Sequence, residues 1–149
     1  MNKRQKDILT NIITVLVITA IAVVAMINFK DWVNRSEAMR AMEQLSRETL
    51  RYRKANGSLP PESYIDSIKE KLQGSARLGK VHYRALWIDS KSPPDTILAY
   101  TEKHYHSLLF HSGFIVVRLD GTVQWMDRQT FISILEQQQS PMEKEMLLE

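Results

Sequence analysis

Hydrophobic and polar positions divide the chain into an apolar first part and a patterned second part. Residues 8–29 carry no charged side chain, and thirteen of these 22 residues are Ile, Leu, Val or Phe. A helix of that length reaches about 33 Å, enough for the hydrocarbon core of a bilayer. On a membrane-insertion scale, the large apolar residues contribute roughly −4 to −8 kcal/mol. The pattern predicts one transmembrane helix over residues 8–29.

The apolar segment runs directly into a second helical pattern. No Pro or Gly occurs between Asp31 and Ala55. One helix face is marked there by residues at a spacing of three and four, namely Ala38, Met42, Leu45, Thr49 and Tyr52. Asn56-Gly57 then favours the left-handed conformation that ends a helix. We predict a continuous rod of about 70 Å over residues 8–55.

Shorter elements follow this rod. Pro61 suits the first position of a short helix, whose apolar face holds Ile65, Ile68 and Leu72. After Gly79 the period changes to alternation. This change predicts strands at residues 81–88, 96–101, 114–119 and 122–126.

Turn and cap residues punctuate the last third of the chain. Asp120-Gly121 predicts a hairpin with a type I′ turn between the last two strands. Asp127 is suited to cap a closing helix with Phe131, Ile132 and Leu135 on its apolar face. From Gln137 onward the composition predicts a flexible tail.

These elements predict an α+β fold, in which a transmembrane helix continues into a long amphipathic helix packed on a small antiparallel sheet. Four segments are expected: a cytoplasmic tail (1–7), a transmembrane helix (8–29), an extracytoplasmic domain (30–136) and a flexible C-terminal tail (137–149).

Basic residues flank the apolar segment on both sides. Lys3, Arg4 and Lys6 precede it, and Lys30 follows it directly. Because a short basic tail is easily retained while a long domain translocates largely regardless of its charge, we expect a cytoplasmic N-terminus at the inner membrane. A cleaved secretory signal is the alternative, with a cleavage site at residues 23–25. The apolar pattern continues to residue 29, which favours the anchor.

Composition limits the classes of function. The 20 Lys and Arg and the 17 Asp and Glu are interspersed, and the net charge is +3. Nucleic acid is therefore not expected as a partner, because it binds a concentrated basic face. Absence of Cys excludes disulfides, thiolate zinc sites and Cys nucleophiles. The small core that remains after the anchor predicts no deep enzyme cleft, so no catalytic residues, cofactor or small-molecule substrate are predicted.

Histidines supply the one group with metal-ligand potential. His104, His106 and His111 lie close in sequence, with Asp120 and His82 as further candidate ligands. On an extended strand, His104 and His106 share one face, as a zinc or copper site requires. An exposed loop rich in His and Tyr is the other interpretation. A ligand- or metal-binding domain is thus the alternative function.

Two stretches carry a family resemblance. Residues 52–60 place Tyr, Asn-Gly and Pro at the end of the long helix, and a small sheet follows. Residues 97–123 place His111 nine residues before Asp120-Gly121. The chain resembles type IV pilin-like proteins, particularly the pseudopilins of type II secretion systems. The resemblance implies a pilin-like fold and a structural or assembly role, with the bilayer and other membrane or secretion-complex subunits as partners.

The chain also departs from the pilin pattern. Prepilins carry a Gly at the leader cleavage point and a Glu five residues into the mature apolar helix. Here no Gly precedes Gly57, and no Glu precedes Glu37. We therefore expect neither processing by a prepilin peptidase nor efficient polymerisation.

Overall fold

A computed structural model describes residues 2–89, 91–107 and 109–146 of the chain. It has an α+β fold with a long N-terminal helix and an antiparallel sheet. The elements are α1 (Lys3–Asn56), α2 (Glu62–Lys69), β1 (Val81–Tyr83), β2 (Ile97–Lys103), β3 (Gly113–Arg118), β4 (Val123–Asp127), α3 (Arg128–Gln138) and α4 (Pro141–Met146). Two short 3₁₀ turns lie at Ser75–Arg77 and Ala85–Trp87.

Helix α1 is continuous over 54 residues, a length of about 81 Å. The predicted junction without a break is confirmed. The helix ends at Asn56, and the next residue, Gly57, has a left-handed φ of 72° and an N–H that donates to the Arg53 carbonyl. The predicted Asn56-Gly57 terminus is therefore also confirmed.

The sheet is a meander with strand order β1-β2-β3-β4. One row of directly opposed residues crosses it from Val81 to Thr101, Ile115 and Trp125. Since opposed residues in antiparallel strands share a face, this row lies on one side of the sheet. That side faces α1.

Both faces of the sheet are covered. The α1 face packs buried Ala99, Ile115 and Val117 against a buried helix stripe made of Ala38, Ala41, Met42 and Leu45. On the other face, Phe114 stacks on Phe131 of α3 with ring centroids 3.9 Å apart. The sheet is thus the middle of three layers.

The predicted strand over residues 81–88 is wrong beyond Tyr83. Arg84 leaves the extended region, with φ −106° and ψ 15°, and Ala85–Trp87 forms a 3₁₀ turn. The Arg84 side chain is buried, where it donates to the Ile97 carbonyl at 2.7 Å. Because a buried guanidinium must satisfy its donors, this requirement overrides the alternating pattern.

The hairpin lies where it was predicted, but the predicted type I′ turn is wrong. Within this turn only Gly121 has a positive φ, at 93°, whereas a type I′ turn needs positive φ at two positions. The Gly121 N–H donates to the Arg118 carbonyl, and the Arg118 N–H donates to the Thr122 carbonyl. This is a three-residue loop that ends in a left-handed glycine.

Three helix details also differ from expectation. Pro61 is the residue before α2 rather than its first residue. Asp127 caps α3 as predicted, accepting the Thr130 N–H, but Ile132 is exposed while Phe131 and Leu135 are buried. The predicted flexible tail is wrong from residue 137 to 146, because α3 continues to Gln138 and α4 follows. Residues 147–149 of that tail, and Met1 of the predicted cytoplasmic tail, lie outside the described residues.

Candidate functional site

Helix α1 has two halves with different surroundings. Residues 8–29 have no buried position, and Asp31 is the first buried residue along the helix. By length and composition the apolar half can cross a membrane. The half from Ala38 onward is the one that packs on the sheet. The fold therefore leaves a large apolar surface on the N-terminal half of α1 uncovered.

A loop docks on α1 where the two halves meet. We call it the β2–β3 loop, meaning residues 104–107 and 109–112. The Asp31 carboxylate accepts the N–H groups of His106 at 3.1 Å and Ser107 at 2.9 Å. Three residues earlier, the Asn28 side-chain oxygen accepts the Leu109 N–H at 3.3 Å. Two polar side chains of α1 thus hold the backbone of this loop.

Asn28 illustrates why a polar residue is tolerated at the end of the apolar segment. Its amide nitrogen donates to the Val24 carbonyl at 2.8 Å, while its oxygen accepts the Leu109 N–H. Both halves of the amide are therefore satisfied, which removes much of the cost of placing it beside apolar residues.

Aromatic rings fasten the same loop to the sheet. The Arg35 guanidinium lies over the Trp125 ring at 4.4 Å from its centroid and over Phe110 at 5.9 Å. Tyr105 contacts both of these rings, at 5.7 Å from Trp125 and 6.2 Å from Phe110. Burial raises the pKa of the Tyr105 hydroxyl to about 12, with Arg35 opposing part of the rise. Together these contacts join the loop to both the helix and the sheet.

The three histidines of the predicted metal site all lie in this loop. His104, His106 and His111 are all exposed. The His104 imidazole lies 3.6 Å from the Glu102 carboxylate, and the one His106 hydrogen bond described is made by its backbone. Within the described part of the chain, no three His, Cys, Asp or Glu side chains form a group suited to a metal ion.

The two further candidate ligands lie elsewhere. His82 stacks on Tyr100 on the face of the sheet that α3 covers, with ring centroids 4.9 Å apart. Burial and the nearby Lys80 lower the pKa of His82. Asp120 sits in the β3–β4 turn and accepts the Thr122 N–H at 2.8 Å. That turn is at the opposite end of β3 from His111, so the metal site stays a prediction without geometric support.

A buried ion pair is the feature that sequence reasoning missed. The Arg84 guanidinium contacts both carboxylate oxygens of Glu143, at 2.6 and 2.9 Å. It also donates to the Gln138 carbonyl, so it joins β1 to α3 and α4. In the sequence, Arg84 stands within an alternating apolar run, and Glu143 stands in a segment without a clear hydrophobic pattern. Neither residue identifies the other as its partner.

Asp31 was missed for a related reason. A lone acidic residue just after an apolar segment has many possible roles, and its loop partners lie more than seventy residues away. The whole junction joins the β2–β3 loop to α1 at the end of its apolar half.

Comparison of the chain with protein-family models, curated proteins and solved structures finds no match.

Proposed function

We propose that the chain is a membrane-anchored, pseudopilin-like structural or assembly protein of a secretion or envelope complex. The observation that carries this proposal is the division of α1, in which one unbroken helix has an uncovered apolar half and a half packed on the sheet. In water, so large an uncovered apolar surface is unfavourable. In a bilayer the same surface is what makes insertion favourable.

The proposed topology follows from charge and helix length. Residues 8–29 span the inner membrane, and the short basic N-terminus stays in the cytoplasm. The α+β domain is then extracytoplasmic. Because α1 does not break at residue 30, the domain is carried on a continuous helical stem.

The layout supports a pilin-like assembly role. A long helix whose second half packs across an antiparallel meander is the arrangement expected of pilin-like subunits. The proposed span has no Gly, which leaves Ala20, Ala22 and Ala25 as the small residues through which neighbouring helices approach closely. With no acidic residue in the span to set register, we propose a low-order complex with other membrane subunits rather than a filament.

Alkaline extraction of membranes tests the anchor. Wild-type protein should stay in the membrane pellet. Replacing both Val15 and Ile18 with Arg should release it, because two central arginines cost about 5 to 7 kcal/mol, close to the whole apolar gain. Leu86→Arg is the matched control, since Leu86 is 83% exposed in the folded domain. Release of the wild-type protein, or equal retention of the double-arginine variant, contradicts the anchor.

Cysteine labelling tests the topology, since the chain contains no Cys. A membrane-impermeant maleimide should label Lys91→Cys in intact cells, where this exposed position lies in the domain. The same reagent should label Gln5→Cys only after lysis. The reverse pattern would invert the proposed orientation.

Cross-linking of membranes followed by purification of the full-length chain tests the assembly role. The expected product is a complex of defined, small size that contains other envelope subunits. A chain that purifies only as a monomer from cross-linked membranes would refute the role in assembly.

A further inference from the structure

We propose that the tip of the β2–β3 loop, carried by Leu109, is a second membrane contact, which enters the interfacial region of the bilayer that residues 8–29 cross. The contact requires that segment to span, so it rests on the proposed function. Its occupant is lipid.

The level of the loop along α1 comes from one hydrogen bond. The Leu109 N–H is bonded to Asn28, the next-to-last residue of the apolar segment. Adjacent helix residues differ in height by about 1.5 Å, so the loop tip lies level with the end of the proposed span. A bilayer that covers residues 8–29 therefore meets the tip of this loop at its surface.

The side chains at this level have the chemistry of a membrane interface. Leu109 is 72% exposed, although its backbone is tied to the helix. Phe29 and Trp32 are also exposed large residues, with their rings 5.9 Å apart. Aromatic side chains are enriched where hydrocarbon meets headgroups. The loop tip thus adds an apolar side chain near the level of this aromatic pair, at the end of the span.

Lipid is favoured as the occupant because Leu109 lies at the level where the apolar half of α1 ends. A bilayer that covers residues 8–29 therefore reaches Leu109 without any further partner. The loop is also held before it meets the membrane, by the two N–H bonds to Asp31 and by Ser107, whose hydroxyl oxygen accepts the Phe110 N–H at 3.2 Å. Insertion therefore orders little additional chain.

A second contact has a structural consequence for the domain. A helix that crosses a bilayer alone is free to tilt. A loop that inserts on one side of the helix opposes tilting away from that side, since such a tilt would lift Leu109 out of the interface. The domain then keeps one orientation toward the membrane surface.

Depth-dependent fluorescence quenching tests this contact in the full-length protein. An environment-sensitive fluorophore is attached to Leu109→Cys, and the protein is reconstituted into phosphatidylcholine vesicles containing nitroxide lipids. Val17→Cys, within the proposed span, is the positive control. Leu86→Cys is the negative control, because Leu86 lines a groove with Tyr52, which is about 36 Å farther along the helix than Asn28.

The expected result is a graded pattern. The Leu109 label should be quenched most by a nitroxide near the headgroups, and the Val17 label by a nitroxide deep in the acyl chains. The Leu86 label should not be quenched by either. Asp31→Ala, which removes the acceptor of two loop N–H groups, should reduce quenching at Leu109 without changing it at Val17.

Each other outcome has a separate meaning. Quenching at Val17 without quenching at Leu109 overturns the loop contact and leaves the proposed anchor standing. Absence of quenching at both positions contradicts the anchor, and the loop contact with it. A Leu109 label that is blue-shifted yet unquenched, with a signal that depends on the protein-to-lipid ratio, identifies a second copy of the chain as the occupant and overturns lipid.

Discussion

Gly121→Ala should destabilise the folded domain by about 2 to 4 kcal/mol through two separate effects. Gly121 has a φ of 93°, and a left-handed backbone costs a residue with a Cβ about 1 to 2 kcal/mol. A Cβ built there would also overlap the end of the Leu50 side chain and lie 3.4 Å from the Ser46 hydroxyl oxygen. Moving Leu50 adds a further cost of about 1 to 2 kcal/mol, at the lower end for overpacking because its side chain is flexible and half-buried.

Gly57→Ala separates these effects. Gly57 is also left-handed, with φ of 72°, but its added Cβ would meet no atom within 4 Å. This control should therefore cost only the backbone term of about 1 to 2 kcal/mol. Urea unfolding of the full-length protein in detergent, followed by tryptophan fluorescence, measures both variants.

A double-mutant cycle with Leu50→Ala completes the test. If Leu50 is the obstacle, Gly121→Ala should cost less in the Leu50→Ala background, with a coupling of about 0.5 to 2 kcal/mol. Equal costs for the two glycine variants, together with zero coupling, would refute the docking of the β3–β4 turn on α1.

Four further predictions concern other parts of the molecule. Arg84→Ala and Glu143→Ala should each destabilise the protein by about 3 to 5 kcal/mol, because each leaves one buried charge without its partner. The double change Arg84→Met with Glu143→Leu should cost much less, because it leaves no buried charge unpaired. Equal losses of stability in urea unfolding would contradict the buried ion pair. Burial lowers the pKa of His82 in the folded protein. In the unfolded chain the pKa of this histidine is about 6.5, so the unfolded state binds more protons as pH falls below that value. Stability should therefore fall as pH drops through this range. His82→Gln should flatten that part of the pH profile of unfolding, and an unchanged slope would refute the assignment. The intact mass of the purified protein should show that residues 8–29 are retained. Electron microscopy of membranes overexpressing the chain should show no pilus-like fibres.

Elements built from local signals could be predicted from the sequence. Residues 8–29 are apolar without interruption, no helix breaker follows until Gly57, and Asp127 precedes α3 as an N-cap. Each signal acts within a few residues of the element that it defines. For this reason the long helix, its end and the cap of α3 can all be predicted from the sequence alone.

Turn chemistry is an intermediate case. Asp120-Gly121 located the hairpin, because a left-handed glycine between two alternating runs has few other uses. The loop length depends on the register of β3 and β4, in which Val117 lies opposite Val123. Register is set by packing on the faces of the sheet, so the dipeptide alone did not identify the turn type.

What the sequence by itself determined is therefore the long helix, its division into an apolar and an amphipathic half, and the hairpin of the last two strands in a small antiparallel sheet. Tertiary structure alone decided that β1 ends before Arg84, that α4 forms and that the β2–β3 loop docks on Asn28 and Asp31. The ion pair of Arg84 joins positions 59 residues apart, and the Asp31 bonds join positions 75 and 76 residues apart. Such contacts satisfy polar groups that folding removes from water. Which partner satisfies each of them depends on where the whole chain places its backbone, and not on neighbouring residues.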